Sequence, residues 1–186
     1  MFDNVDSQLK EAGAIGVIPT DTVYGVVARA QDVEAVERLY ELKHRENKPG
    51  TLIAASREQL EELGLKHRYL VAVEQFWPGA VSVVIPAANP GLSYLHQGKM
   101  ALAVRIPNDP ELQELLQKTG PLITSSANMP DKPTAVTIAE ARAYFGDTVD
   151  FYVDGGDLSN HKSSTIIRVV DDAIEVLRQG AVTIEL

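Results

Sequence analysis

Cysteine is absent from this 186-residue chain. Disulfides, thiolate catalysis and Cys-ligated zinc are therefore excluded. Histidine is scarce, and the four that occur (His44, His67, His96, His161) show no metal-ligand spacing. No metal site of the protein's own is read from them. No apolar run approaches the ~20 residues that cross a bilayer. Residues 1–13 are acidic and periodic, without the basic segment and apolar stretch of a signal peptide. These absences predict a cytoplasmic protein with no membrane partner. Neither G-x-x-x-x-G-K-[ST] nor G-x-G-x-x-G occurs, so a nucleotide would have to be held by another arrangement. Cations are also in deficit, 17 Lys and Arg against 26 Asp and Glu, for a formal net charge of −9. Such a surface repels nucleic acid as a whole, and a polyanion binds only where cations are locally concentrated.

What is present is an ordinary soluble composition, 45% apolar and 23% charged. Helical and extended patterns alternate along the chain, which predicts an α/β fold, and the length suits one domain over residues 1–186. Strands are expected at 15–19, 23–28, 52–55, 81–86, 101–106, 122–125, 149–153, 165–170, 174–177 and 182–184. Helices are expected at 4–12, from the Asp32 cap to about Lys43, at 57–63 and 67–76, from Asp109-Pro110 to Gly120, and from Thr137 to Gly146. Thr137 with Glu140 three residues on has the form of a capping box. A Pro/Gly/Asn-rich loop is expected between the strands at 81–86 and 101–106.

Five segments could carry chemistry. In Pro19-Thr20-Asp21-Thr22-Val23-Tyr24-Gly25, an extended chain points Thr20, Thr22 and Tyr24 the same way, which suits a small polar ligand. The competing explanation is that β-branched and aromatic residues simply favour a sheet. Lys43, Arg45 and Lys48 cluster where a helix ends, either to clamp a phosphate or to complement the helix dipole in water. Arg105 closes an apolar strand, where its guanidinium either reaches water or projects into a cleft. Thr124, Ser125, Ser126 and Asn128 follow another strand and could hold phosphate or ribose oxygens, or only form a turn. Ser163-Ser164-Thr165 and Arg178-Gln179-Gly180 form the fifth segment and say little alone.

Their order is more specific than any one of them. PTDTVYG, K-x-R at 43–45, WPG at 77–79, AVRIP at 103–107, SSAN at 125–128, STI at 164–166 and LRQGA at 177–181 together resemble the YrdC-like family in its single-domain, TsaC-type form. The match spans about residues 14–181, and at this length the extra C-terminal domain that some members carry is not expected. It departs from the family's usual residues at Glu46, Met129-Pro130-Asp131 and Ser163. The resemblance implies a twisted open mixed sheet with flanking helices, the YrdC-like (RibB-like) fold, around a concave cationic cavity. It implies synthesis of L-threonylcarbamoyl-AMP from L-threonine, bicarbonate and ATP, with Mg2+ accompanying ATP, for the t6A modification of tRNA. Carried over by position, Thr22, Arg105, Thr124 and Ser164 are the L-threonine contacts, with Thr20 and Tyr24 shaping that end. Arg45, Lys48, Ser126, Asn128, Thr134 and Arg178 are the ATP contacts, and Lys43 and Arg45 carry the catalytic charge. The implied partners are these substrates and the downstream t6A transferase machinery. RNA binding by a YrdC-like module without synthase activity is the alternative. A carbamoyl-adenylate enzyme of the larger carbamoyltransferase type is a second one.

Overall fold

A computed structural model of the protein describes residues 1–44 and 47–185. Its centre is a mixed sheet of nine strands among the described residues. In chain order these are β1 (Ile15–Pro19), β2 (Tyr24–Arg29), β3 (Thr51–Ile53), β4 (Val81–Pro86), β5 (Ala101–Arg105), β6 (Leu122–Ser126), β7 (Phe151–Tyr152), β8 (Thr165–Val170) and β9 (Ala173–Arg178). Their spatial order is β7-β1-β2-β6-β3-β5-β4-β8-β9. β1–β7, β3–β5 and β4–β8 are parallel and the remaining neighbours antiparallel.

The helices are α1 (Val5–Lys10), α2 (Val33–Leu42), α3 (Arg57–Leu63), α4 (His67–Val73), the short α5 (Ser93–His96), α6 (Pro110–Thr119) and α7 (Ile138–Phe145). Their ends follow local side-chain chemistry. Asp32 accepts from the Ala35 amide at 3.0 Å, and Asp109 from that of Leu112 at 3.0 Å, with Pro110 opening α6. Thr137 caps the Glu140 amide, but the Glu140 carboxylate reaches back to Val136 N at 2.8 Å, one residue beyond a standard box.

Alternate strand residues divide the core into two layers. Ile18, Val27, Ile53 and Leu122 pack with Val5, Leu9, Leu112, Leu115 and Leu116 of α1 and α6. Their neighbours Val17, Val26, Leu52 and Ile123 face the opposite way, into the larger core with α2, α3, α4 and α7. By the same alternation Gly25, Thr51, Arg105, Thr124 and Ser126 lie on the α1/α6 face, past the part those helices cover. That uncovered stretch of sheet is where the site forms.

Three expectations from the sequence are corrected. Residues 182–184 form no strand. A Cβ on Gly180 would come within 2.2 Å of the Ser163 carbonyl oxygen, so the chain turns tightly there. It is then held by the Thr165 hydroxyl, which accepts from Gly180 N and Val182 N and donates to Val182 O. Between β4 and β5 the chain folds into a 3-10 turn (Pro90–Leu92) and α5, because Leu92 and Leu95 are buried. The helix expected to 76 ends at Val73 and tightens into a 3-10 turn over Glu74–Phe76.

Two predictions follow from β7 docking on β1. An added Cβ on Gly16 would lie 2.3 Å from the Phe151 ring. Gly16→Ala should therefore cost about 1–3 kcal/mol by overpacking, read from the urea midpoint. Asp150 accepts from Ile15 N at 2.9 Å and Arg38 Nη1 at 2.6 Å. Burial raises its carboxyl, but these hydrogen bonds and the Arg38 charge outweigh that and hold it below its ordinary value. A lowered native pKa gives stability that is full above the unfolded value and lost as pH falls through the native one. Asp150→Asn should accordingly flatten the decline in urea midpoint below about pH 4.

Candidate functional site

A concave cavity of about 360 Å³ opens on the exposed part of the sheet face. That lies within the 300–1,000 Å³ range of small-molecule sites. Its wall includes Gly25 paired with Ser126 across β2 and β6, and Thr124, Thr51, Ala103 and Val84 paired in turn across β6, β3, β5 and β4, all small or β-branched side chains. At Gly25 any Cβ would meet Thr124 Oγ1 at 2.4 Å, so the glycine keeps that hydroxyl clear. A second cavity of about 440 Å³ adjoins it, sharing Val23 and Ser163 and lined further by Thr134, Leu158, His161 and Gly180.

Segments far apart in sequence meet here. Thr22, Arg105, Thr124, Ser126, Ser164 and Arg178 all line the first cavity, as does Thr20. Thr134 lines the second. Asn128, Lys43 and Lys48 line neither, and Arg45 lies outside the described residues. Exposed Lys48 is placed by its backbone, whose N–H donates to Gln97 Oε1 at 3.1 Å.

One polar chain runs through the site. Arg105 is 3% exposed, and its guanidinium meets Asp21 side-on, with Nε to Oδ2 at 3.1 Å and Nη2 to Oδ1 at 2.9 Å. Nη1 donates to Ser82 Oγ at 2.9 Å, and the Ser82 hydroxyl donates to that of Ser164 at 2.9 Å. Arg178 closes the chain from β9, donating to the Ser164 carbonyl from Nη2 at 2.8 Å and from Nε at 3.1 Å. Among the described contacts, one N–H on each Arg105 Nη has no acceptor, and these can take a ligand oxygen.

The remaining groups are held by their own networks. Thr20 Oγ1 donates to Val23 O at 2.7 Å and accepts from Thr22 N at 3.2 Å, which folds the 20–23 turn. The Tyr24 hydroxyl donates to Gly156 O and accepts from Gly155 N, both at 2.8 Å. Burial pushes this phenol up from its ordinary value, so it stays protonated as a structural post. Lys43 is buried and donates from Nζ to Ser126 O at 2.6 Å, Asn128 Oδ1 at 2.9 Å and the Asn128 carbonyl. In this structure it ties the 126–128 segment to the end of α2. Among the described residues no group of three His, Cys, Asp or Glu is arranged to hold a metal ion, and no helix is long and apolar enough to cross a membrane.

Reading the sequence alone overlooked Asp21, Ser82 and Gly25. Ser82 offered a signal as the lone hydroxyl within the apolar run Val81–Pro86, since a buried polar residue in a strand needs a partner. Asp21 stood inside a quoted motif without a role.

Comparison with known proteins places this geometry among relatives. The family model Sua5/YciO/YrdC, described as "Telomere recombination", matches residues 8–180. A threonylcarbamoyl-AMP synthase of Klebsiella pneumoniae is 38% identical over 170 residues, covering 87% of this chain and 87% of the relative. The crystal structure of P. abyssi Sua5 complexed with L-threonine superposes with a TM-score of 0.82 at 29% identity, covering 95% of this chain and 53% of that one. This chain thus spans about half the length of that Sua5. The E. coli YciO structure shares the fold, with a TM-score of 0.80 at 21% identity, covering 97% of this chain and 90% of that one.

Removing the Ser82 hydroxyl should unsettle the polar chain at its midpoint. Ser82→Ala leaves an Arg105 donor and the Ser164 hydroxyl without that partner. The expected loss is about 1–3 kcal/mol of stability, measured by urea unfolding.

Proposed function

Because the chain belongs to the Sua5/YciO/YrdC family, we propose that it is an L-threonylcarbamoyladenylate synthase. As such it is a nucleotidyltransferase that forms threonylcarbamoyl-AMP and pyrophosphate from L-threonine, bicarbonate or CO2, and ATP. The observation that carries this reading is convergence: Thr22, Arg105, Thr124, Ser126, Ser164 and Arg178, drawn from four of the five candidate segments, line one cavity. A relative bearing that activity in its name covers most of the chain, and a related fold has been seen with L-threonine bound. Mg2+ enters with ATP as part of the substrate.

The threonine end is assigned to Thr22, Arg105, Thr124 and Ser164. The Arg105 N–H groups not used by Asp21 and Ser82 receive the amino-acid carboxylate, and the hydroxyls bond its remaining polar groups. The nucleotide end is assigned to Arg45, Lys48, Ser126, Asn128, Thr134 and Arg178. Thr134 brings in the second cavity, so the nucleotide extends across the shared wall at Val23 and Ser163.

In the reaction the deprotonated amine of threonine adds to CO2, forming an N–C bond and leaving a carbamate. A carbamate oxygen then attacks the α-phosphorus of ATP, the bond to the bridging oxygen breaks, and pyrophosphate departs. Holding the reactants in register supplies most of the acceleration, because it converts a meeting of several molecules into an effectively unimolecular step. Lys43 and Arg45 meet the charge that builds on the phosphoryl oxygens, with Lys43 working from its hold on Ser126 and Asn128. No side chain is assigned as general base. The walls exclude water from a carbamate and a mixed anhydride that would otherwise hydrolyse. The product would feed the transferase machinery that builds t6A on tRNA, in the cytoplasm.

Pyrophosphate release is the direct test. It should require L-threonine, bicarbonate and ATP with Mg2+ together, and fall to background when any one is omitted. Release that persists without threonine would sink the reading. Arg178→Ala should lower turnover by roughly 100-fold, the scale of losing one charge-stabilising donor.

A further inference from the structure

We infer that Asp21 fixes the charge of the amino-acid end of the cavity, so that Arg105 accepts a zwitterion and turns away polyanions. The benefit to catalysis rests on the synthase reading, but the charge balance itself rests on geometry alone. The cavity must admit two kinds of anion: a single carboxylate on an amino acid, and the phosphates of ATP and pyrophosphate. Arginine serves both equally well. An arginine with an uncompensated charge at the threonine end would compete for phosphates, holding ATP the wrong way round or retaining the pyrophosphate product.

Asp21 removes that competition without removing the donors. Its carboxylate is 6% exposed and meets Arg105 through two hydrogen bonds, at 2.9 and 3.1 Å. Thr20, Thr22 and Val23 line the cavity but Asp21 does not, so the carboxylate sits behind the fork and the ligand does not displace it. Ser82 holds Nη1 from β4. What faces the ligand is then a set of N–H groups on a neutral ion pair. A zwitterionic amino acid has no net charge, and it needs those donors more than it needs a net positive field. Sulfate and pyrophosphate depend on the net field and lose it. A unit negative charge a few ångströms from a bound anion, at the effective dielectric of a protein site, should weaken its binding by roughly tenfold or more. Asp21 is thus a specificity-determining residue that acts through Arg105.

Calorimetric titration with sulfate at constant ionic strength tests this and needs no turnover. Asp21→Asn, which keeps the shape and one acceptor, should bind sulfate about tenfold or more tightly than the wild type. Sulfate should then compete with L-threonine. Adding Arg105→Gln should erase the gain, and Asp21→Glu should not produce it. Equal sulfate affinity in wild type and Asp21→Asn overturns the inference, as does a gain that survives Arg105→Gln. If Asp21→Asn does not fold, as judged by circular dichroism, Asp21→Ser carries the same expectation. In the wild type alone, sulfate that displaces L-threonine with a Kd of about 1 mM or below also overturns it. A wild type that releases no threonine-dependent pyrophosphate defeats the synthase reading and leaves the sulfate comparison intact.

Discussion

A guanidinium taken out of water must be matched by acceptors, and in this protein that requirement organises the site. Arg105 ends β5 beside buried Val104 and opposite buried Ile53, and it is nearly inaccessible itself. Leaving such a charge unmatched is far more costly than leaving a surface one. Asp21 from the β1–β2 turn, Ser82 from β4, and through Ser82 the Ser164 hydroxyl before β8 supply the match. Four stretches of chain are thereby held in register around one cation. The same contacts shape one end of the cavity, so packing of the sheet and the form of the cavity draw on a single network.

The sheet provides the space. Helices α1 and α6 cover one part of a face and leave the rest open, and small residues at Gly25, Thr51 and Ala103 keep that open part deep. Gly25 shows how tightly this is set, since a methyl group there would strike Thr124. Lys43 adds a second brace from α2 to the 126–128 segment. A buried lysine spanning those carbonyls fixes the loop after β6.

Much of the fold was legible beforehand. β1, β4 and α3 fall where the apolar and helical periodicities put them, and the Asp32, Asp109 and Thr137 caps hold. These are local effects, decided within a few residues by backbone and side-chain chemistry. The failures were non-local. The stretch at 182–184 has an apolar strand pattern, yet Gly180 packs on Ser163 and the Thr165 hydroxyl takes the backbone groups a ladder would have used. α5 was hidden because Pro90 and Gly91 signal a loop, while burial of Leu92 and Leu95 decides in favour of helical turns.

By itself the sequence determined the α/β alternation, the caps, the exclusion of thiol chemistry, and the ordered set of motifs that marks the family. Those depend on residue type and short-range spacing, which a linear string preserves. Only the tertiary structure decided that Asp21 and Ser82 are the partners of Arg105. It alone decided that Lys43 grips the 126–128 segment from behind, and that hydroxyls from the β1–β2 turn, β6 and the β8 approach share one cavity. Such pairings join residues 84 positions apart in the case of Asp21 and Arg105, and 85 in that of Lys43 and Asn128. The force that selects them, the cost of burying an unmatched charge, exists only once the chain has folded.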